Sequence, residues 1–363
     1  MQDHPYRRLP SRHFWRSAVS IAGPTGLETD GVGFDPVGEP PFRIGPGDRV
    51  AAAGSCFAQH IARNLRGAGF NFLQTEAAGG DDSPFSAQFG NIYTACQLRQ
   101  LLLRAYGLMR PVDEVWRLPS GKFVDPFRPQ MLGENGAGLD SAEAVVAARE
   151  AHFMAVREMF ERCTVFIFTL GLTEAWLAED GAALPVPPGV LGVQAGASQA
   201  RFKNFTTLEV WTHLEEVLAD LCLVNPDVRI ILTVSPVALA ATYEPRHVSL
   251  SNVLSKAALR LAAEEMRQRH ARICYFPAYE IVTALANVPL AYEADLRSVS
   301  PHGVAQVMGL FNRHMLSGAD RPAAVAPGMA LAQAAPSAEY QADFAARSRI
   351  ICDEDLLASG HDG

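Results

Sequence analysis

The amino-acid sequence predicts an α/β fold built on a mainly parallel sheet with helices on both faces. Short segments that are apolar throughout alternate along the chain with longer amphipathic segments, and two of the apolar segments end at a glycine. Strands that are apolar on both sides are typical of a parallel sheet between two helical layers. The chain has 363 residues, of which 48% are hydrophobic, so we expect one large domain with insertions.

The strands and helices follow from the period of the apolar residues. In the first helix, for example, Phe57, Ile61 and Leu65 are spaced four apart and share one face, and Gly67 and Gly69 end it. The predicted strands are 48–54, 164–171, 229–236 and 272–276. The predicted helices are 56–69, 91–107, 141–162, 206–223, 249–269 and 302–316.

The remaining segments are expected to lie outside this core. Residues 1–46 are rich in Pro, Gly and Arg and form an N-terminal arm, so that 47–317 is the α/β domain. Within it, 107–140 contains "VWRLPSGKFVDPF", which predicts a hairpin insertion, and 179–203 is expected to be a loop insertion. The Ala/Pro-rich segment 318–363 is predicted to be a poorly ordered tail.

Composition excludes several classes of function. The net charge of −8 argues against nucleic-acid binding, and no apolar run reaches the roughly 20 residues that span a bilayer. The N-terminus has no apolar core of a secretion signal. The six cysteines are scattered without a C-x-x-C pair, which predicts reduced thiols in a cytoplasmic protein and no structural zinc. No phosphate-binding glycine motif occurs, so we expect no cofactor.

Polar residues cluster after three predicted strands, in "GSC" (54–56), "LGLTEAW" (170–176) and "SPVALAATYEPRH" (235–247). Parallel sheets bind ligands at the carboxyl ends of their strands, so these clusters mark the expected site. Ser55 is either a nucleophile at a helix N-terminus or only the helix N-cap, and one motif does not decide between them. The adjacent Cys56 is predicted to be a small buried residue.

Six blocks in order resemble the GSCFA family, which belongs to the wider SGNH/GDSL-type hydrolases. The resemblance covers about 48–316 and implies a flavodoxin-like three-layer α/β/α sandwich. It also implies ester hydrolysis or acyl transfer on small or carbohydrate substrates. The blocks are "GSCFA" (54–58), "FGNIYTACQL" (89–98), "FTLGLTEAW" (168–176), "ILTVSPV" (231–237), "YFPAYEIV" (275–282) and "DLRSVSPHGV" (295–304).

The resemblance assigns roles to the first two blocks. Ser55 occupies the position of the nucleophile, and its N–H and that of Gly90 are expected to form the oxyanion hole. Asn91, beside Gly90, is expected to contact substrate.

The third block departs from the superfamily pattern Gly-x-Asn-Asp, since Thr173 and Glu174 stand where the Asn and Asp would be. The Thr173 hydroxyl can replace the asparagine in part as an oxyanion donor. Glu174 is either a substrate contact or an ordinary carboxylate at a helix N-terminus. Asn204 is likewise either a substrate contact or a helix cap.

The last block departs further, because Ser298 stands where the pattern Asp-x-x-His has its histidine. His302, oriented by Asp295 in the leading hypothesis, is either the general base or a solvent-exposed histidine in a first helical turn. Ser300 as N-cap and Pro301 at the first helical position place it in a first turn, where the helix dipole favours neutral imidazole. His247 is the second candidate base, with substrate contact as its preferred role.

Other polar residues are predicted to be structural. Asp125 and Arg128 are expected to form a surface ion pair, and His60 to be a surface or packing residue. Three further histidines lie within predicted helices and are expected to take no part in catalysis: His152, His213 and His270.

The leading hypothesis is a serine esterase or acyltransferase that works through an acyl-Ser55 intermediate. Its expected substrate is an O-acyl ester, above all an O-acetyl ester, of a small molecule or carbohydrate. The two insertions would form the wall of its pocket. The alternative is a carbohydrate- or partner-binding protein that has kept the fold without competent catalysis. Neither hypothesis involves nucleic acid or a membrane. The sequence does not separate hydrolysis from transfer, and it predicts no oligomeric state.

Overall fold

The computed structural model describes residues 4–19, 34–76, 84–129, 131–133, 136–187, 189–192, 200–285 and 287–318. The chain divides into two compact units, which are described separately. The larger unit contains Ile44–Phe276, and the smaller one joins the segment up to Arg43 to the segment from Pro277. Apart from Gly318, the predicted tail lies outside the described residues.

Within the described ranges, the strands are β1 Val50–Gly54, β2 Trp116–Arg117, β3 Phe123–Val124, β4 Val165–Leu170, β5 Glu174–Leu177, β6 Ala183–Leu184, β7 Arg201–Asn204, β8 Arg229–Val234 and β9 Ile273–Tyr275. The α-helices are α1 Trp15–Ala18, α2 Ala58–Gly67, α3 Ala95–Ala105, α4 Ala142–Arg162, α5 Thr207–Val224, α6 Val248–Arg269, α7 Ala278–Thr283, α8 Val288–Ala291 and α9 Pro301–Met315, and Ser11–His13 forms one 3-10 turn.

The larger unit is organised around a parallel sheet in the order β1-β4-β8-β9. In register, Gly54 pairs with Thr169, Leu170 with Val234, and Leu232 with Tyr275. Strands β1, β4 and β8 are almost wholly buried, as strands that are apolar on both sides must be. Helices flank the sheet, and the predicted α/β class with a mainly parallel sheet is confirmed.

The two insertions contain small antiparallel sheets. β2 and β3 pair as the hairpin predicted within 107–140. The prediction of a loop at 179–203 was wrong in part, because β6 and β7 pair with β5 on either side in the order β6-β5-β7. The segments are too short to show a strand period, but edge-on packing of Trp176 against Phe202 and Tyr243 holds together β5, β7 and the loop between β8 and α6.

Side-chain caps fix where several helices begin. Thr94 and Gln97 form a capping box at α3, as Thr206 and Glu209 do at α5, so each pair satisfies backbone N–H groups that the helix leaves free. In the smaller unit, the predicted start of α9 is confirmed, since the Ser300 hydroxyl accepts the Gly303 N–H at 3.1 Å. No helix in the described part of the chain is both long and apolar enough to cross a membrane.

Candidate active site

Ser55 follows β1 directly, and Gly54 sets its position. Gly54 has φ +143°, and a Cβ placed on it would lie 2.5 Å from the carbonyl oxygen of Thr169 on the neighbouring strand. Only glycine allows the two backbones to approach so closely. The Ser55 N–H then donates to the same Thr169 carbonyl at 3.0 Å, which extends the ladder by one residue.

The Ser55 side chain is buried and unpaired. It is 2% exposed, and its Oγ has no hydrogen-bond partner among the described residues. The alternative that Ser55 caps the helix is excluded, because α2 begins at Ala58 with Phe57 as N-cap and no side-chain cap. A buried hydroxyl without a partner costs about 1–3 kcal/mol, so its presence calls for a functional explanation. The hydroxyls of Thr169 and Thr233 on the sheet are also buried without a hydrogen-bond partner among the described residues, but these two residues do not line the pocket described next.

A small pocket lies at the carboxyl ends of β1, β4 and β8, where the sequence predicted the site. Its described lining residues are Ser55, Cys56, Tyr93, Gly171, Leu172, Ser235, Val237, Ala238, Leu239 and Lys256. They include no described residue of the two insertions, so the predicted insertion wall is not seen in the described part of the chain. The turn that follows β8 provides the wall instead.

Gly171, which follows β4, brings the second strand end close to Ser55. A Cβ placed on it would lie 3.1 Å from the Ser55 Cβ and 3.0 Å from the Tyr93 ring. Its N–H donates to the Tyr93 carbonyl at 2.9 Å. A larger residue at position 171 would therefore push against the side chain of the candidate nucleophile.

Lys256 is the pocket residue that sequence reasoning missed. It projects from α6, is 2% exposed, and its Nζ donates to the Gly171 carbonyl at 2.6 Å. The sequence did hold a signal: Lys256, Leu259 and Ala263 are spaced three and four apart on the buried face of the predicted helix. A lysine on the apolar face of a helix is uncommon and marks a group with a specific partner.

Two of the predicted oxyanion donors are engaged elsewhere. The Ser55 N–H is taken by Thr169, as described above. The Thr173 hydroxyl donates to Asn204 Oδ1 at 2.7 Å, and the Thr173 N–H donates to Ser255 Oγ at 3.0 Å. In this arrangement neither the Ser55 N–H nor the Thr173 hydroxyl is free for an oxyanion, which corrects both expectations.

Asn204 and Glu174 join the small sheet to the loop that precedes α6. Asn204 Nδ2 donates to Glu244 at 2.8 Å, and Glu174 accepts from the Thr242 hydroxyl at 2.6 Å and from the Tyr243 N–H at 3.1 Å. Burial raises the pKa of Glu174. Glu174 begins β5 and not a helix, so the helix-terminal interpretation was wrong. Neither residue is among those that line the Ser55 pocket.

Gly90 and Asn91 belong to the loop tied to the end of β1, where the Ile92 N–H donates to the Gly54 carbonyl at 2.8 Å. Gly90 has φ +76°, a conformation that favours glycine. Asn91 is buried and its Oδ1 accepts from Gln59 Nε2 at 3.2 Å. Asn91 lines a second cavity, and neither residue is among those that line the Ser55 pocket. Their predicted roles stay predictions.

The expected pair of Asp295 and His302 does not form. One Asp295 oxygen accepts the Ser298 hydroxyl at 2.6 Å, and the other accepts the N–H groups of Arg297 and Ser298. His302 is exposed in the first turn of α9. Asp295 therefore orients Ser298 and not His302.

His247 serves as the N-cap of α6. Its Nδ1 accepts the Ser249 N–H at 3.2 Å, its ring is exposed, and it is not among the residues that line the Ser55 pocket. The structure thus gives His247 a capping role, and its predicted substrate contact stays a prediction.

His60 packs inside the protein and not at the surface. It is 8% exposed and stacks at 5.4 Å on Phe57. Burial, assisted by the nearby Arg63, lowers its pKa to about 4. The packing interpretation is therefore the correct one of the two offered by the sequence.

His60 makes stability depend on pH. Its pKa of about 4 in the folded protein lies below the ordinary value of 6.5. As the pH falls, the unfolded chain therefore binds a proton at a higher pH than the folded protein does. The free energy of unfolding is therefore highest above pH 6.5. It falls by about 2–3 kcal/mol as the pH decreases towards 4. Urea unfolding at pH 7.5 and pH 5 will show a smaller difference in His60→Leu than in wild type. Exposed His13→Gln serves as the control, and equal pH dependence in wild type and His60→Leu would contradict the assignment.

The predicted surface ion pair between Asp125 and Arg128 was wrong. Asp125 is 1% exposed and pairs with Arg149 at 2.7 Å and Arg104 at 3.4 Å, whereas Arg128 pairs with Glu76 at 3.3 Å. His152 Nδ1 also contacts Glu76. This buried ionic cluster of Glu76, Arg104, Asp125, Arg128, Arg149 and His152 lies beside the second cavity, which both insertions help to line.

The fold and the pocket together define the protein as a member of the α/β class with a candidate site at the carboxyl ends of its parallel strands. Residues 49–311 match the GSCFA family, and the chain belongs to it. No curated protein matches the chain. Among solved structures, the crystal structure of an acetyl esterase mutant with an acetate ion is similar at a TM-score of 0.33 and 10% identity, covering 73% of this chain and 95% of that chain. The described residues contain no group of three or more His, Cys, Asp or Glu that could hold a metal ion.

Proposed function

We propose that the protein is a serine esterase or acyltransferase of the SGNH/GDSL type, which forms an acyl-enzyme on Ser55. The observation that carries the proposal is the buried Ser55 hydroxyl, which has no partner among the described residues and lines a pocket at three strand ends. The motif resemblance of the GSCFA blocks supports the choice of Ser55 over Cys56. The substrate is an O-acyl ester of a small molecule or carbohydrate.

The size of the pocket favours a short acyl group. Its cavity volume is only about 10 Å³, and Val237, Ala238 and Leu239 give one side of it an apolar surface. A cavity of this size holds about one water-sized group, so a long acyl chain would not fit in it. An acetyl group is the acyl group that we propose.

The chemistry proceeds in two transfers. The Ser55 Oγ attacks the ester carbonyl carbon while its proton passes to a base, and the carbon–oxygen bond to the alcohol breaks as that alcohol takes up a proton. Water or a second alcohol then attacks the acyl-enzyme and restores Ser55. Hydrolysis and acyl transfer differ only in this second nucleophile. His302 remains a candidate base, and its own contribution is tested below.

The proposal is tested by labelling with a fluorophosphonate probe and by hydrolysis of 4-nitrophenyl acetate. We expect wild type to react and Ser55→Ala to lose labelling and at least about 10³-fold in turnover. Cys56→Ala, a change in the same pocket, serves as the matched control and should keep both. Because the Ser55 hydroxyl is unpaired, Ser55→Ala should unfold at an equal or higher urea concentration than wild type.

Retained labelling in Ser55→Ala would overturn the proposal, and its loss in Cys56→Ala alone would identify a thiol nucleophile.

One observation favours the second candidate function, a carbohydrate- or partner-binding protein without catalysis: the Ser55 N–H and the Thr173 hydroxyl are both engaged. In that case wild type and Ser55→Ala would be equally unreactive, and an acetylated sugar would bind without being hydrolysed.

A further inference from the structure

Lys256 is the basic side chain that the structure places in the Ser55 pocket. Among the described residues that line this pocket, the other titratable groups are Cys56 and Tyr93, and neither a carboxylate nor a histidine is included. A serine nucleophile needs a group that can take up its proton. An amine can do so once it is uncharged.

Two hydrogen bonds hold Lys256 beside the end of β4. Its Nζ donates to the Gly171 carbonyl at 2.6 Å, and the preceding residue, Ser255, accepts the Thr173 N–H at 3.0 Å. Gly171 itself approaches Ser55 so closely that a Cβ on it would lie 3.1 Å from the Ser55 Cβ. The amine is therefore anchored to the residue that packs against the candidate nucleophile.

Burial bears on the charge of the Lys256 amine. Lys256 is 2% exposed, and taking an ammonium ion out of water costs free energy, so buried lysines give up a proton more readily than exposed ones. An uncharged amine can donate one N–H to Gly171 and still present its lone pair. The Ser55 Oγ makes no hydrogen bond in the described structure, so the proposal requires that Oγ and Nζ come into contact once the ester binds.

We propose that Lys256 is the general base for Ser55, so that the site is a serine–lysine pair. This inference rests on the proposed esterase or acyltransferase function. In the first transfer, the Ser55 hydroxyl proton moves to Nζ as Oγ bonds to the acyl carbon. The ammonium then gives this proton to the departing alcohol oxygen. In the second, the amine takes a proton from water or the acceptor alcohol, and the ammonium returns it to Oγ as the acyl bond breaks.

The test uses Lys256→Met and Lys256→Arg in the full-length protein. Methionine keeps the length of the side chain without a base, and arginine keeps the charge but does not lose its proton. We expect both variants to lose at least about 10²-fold in turnover of 4-nitrophenyl acetate and in the rate of fluorophosphonate labelling. Lys122→Met, an exposed lysine of the hairpin, should match wild type. Retention of most activity by Lys256→Arg would show a purely electrostatic role and overturn the proposal.

A second measurement does not depend on the variants being folded. The labelling rate of wild type should rise with pH through one ionisation. If this rise disappeared in Cys56→Ala, the thiol would be its source and the proposal would be contradicted. A labelling rate that does not depend on pH would contradict the proposal. So would a loss of turnover in His302→Gln if Lys256→Met kept its turnover. If wild type is labelled and Lys256→Met is labelled equally fast, only the role of Lys256 fails. If wild type is not labelled at all, the proposed function fails.

Discussion

Gly54→Ala is expected to abolish the stable fold of the larger unit. The new methyl group would lie 2.5 Å from the Thr169 carbonyl oxygen and 2.7 Å from the Thr169 nitrogen, and alanine rarely adopts the φ of +143° found at this position. β4 lies between β1 and β8, and β1 is fully buried and pairs with β4 along its whole length, so neither backbone can move aside without breaking ladder hydrogen bonds. We expect a loss of more than about 4 kcal/mol in the free energy of unfolding.

Circular dichroism and urea unfolding of the purified variant measure this loss. Gly67→Ala is the matched control, because Gly67 ends α2 with nothing within 4 Å of an added Cβ. That change should leave stability unchanged or raise it by about 0.5–1 kcal/mol. A Gly54→Ala protein as stable as wild type would show that β1 can shift away from β4, and would remove the argument that Gly54 fixes the position of Ser55.

Asp125→Asn is expected to cost about 3–5 kcal/mol of stability. The asparagine has nearly the same volume, but it removes the charge that Arg104 and Arg149 share at 3.4 Å and 2.7 Å. Both guanidinium groups are buried and would remain without their common counter-charge. Removing one partner of a buried ionic group lowers the free energy of unfolding for this reason, even where the intact group contributes little net stability.

Urea unfolding followed by tryptophan fluorescence provides the measurement. Asp140→Asn is the control, since Asp140 has 91% of its side chain exposed and pairs with Lys122 at the surface. Its effect should stay within about 0.5 kcal/mol. An Asp125→Asn change as small as that of the control would mean that the arginines find other partners, and that the cluster is not a determinant of stability.

The sheet and its helices were predictable because their signals are local. The strands are apolar throughout, and the helices repeat apolar residues at their own period. The position of Ser55 at a strand end followed from the same pattern, since the carboxyl ends of parallel strands share one edge. Even Ser300 as an N-cap could be predicted, because a cap depends on residues only a few positions away.

The missed features all depend on contacts between distant parts of the chain. The sequence neighbour of Asp125 that offers a charge is Arg128, yet its partners are Arg104 and Arg149. Lys256 belongs to the site because α6 packs against β8 and β9 and brings Nζ to the Gly171 carbonyl, 85 positions away in the chain. β5 and β7 pair across a long insertion. Such pairings are decided by how the elements pack, which periodicity alone does not encode.

The buried ionic cluster also determines how the hairpin insertion moves. Asp125 and Arg128, at the end of the hairpin, are tied to Glu76, to α3 through Arg104 and to α4 through Arg149. The hairpin therefore cannot swing open without exposing charges from three distant segments. Its amide hydrogens should exchange with solvent only when the larger unit unfolds as a whole, at the same rate as those of the central strands. The insertion thus behaves as a fixed part of one cooperative folding unit.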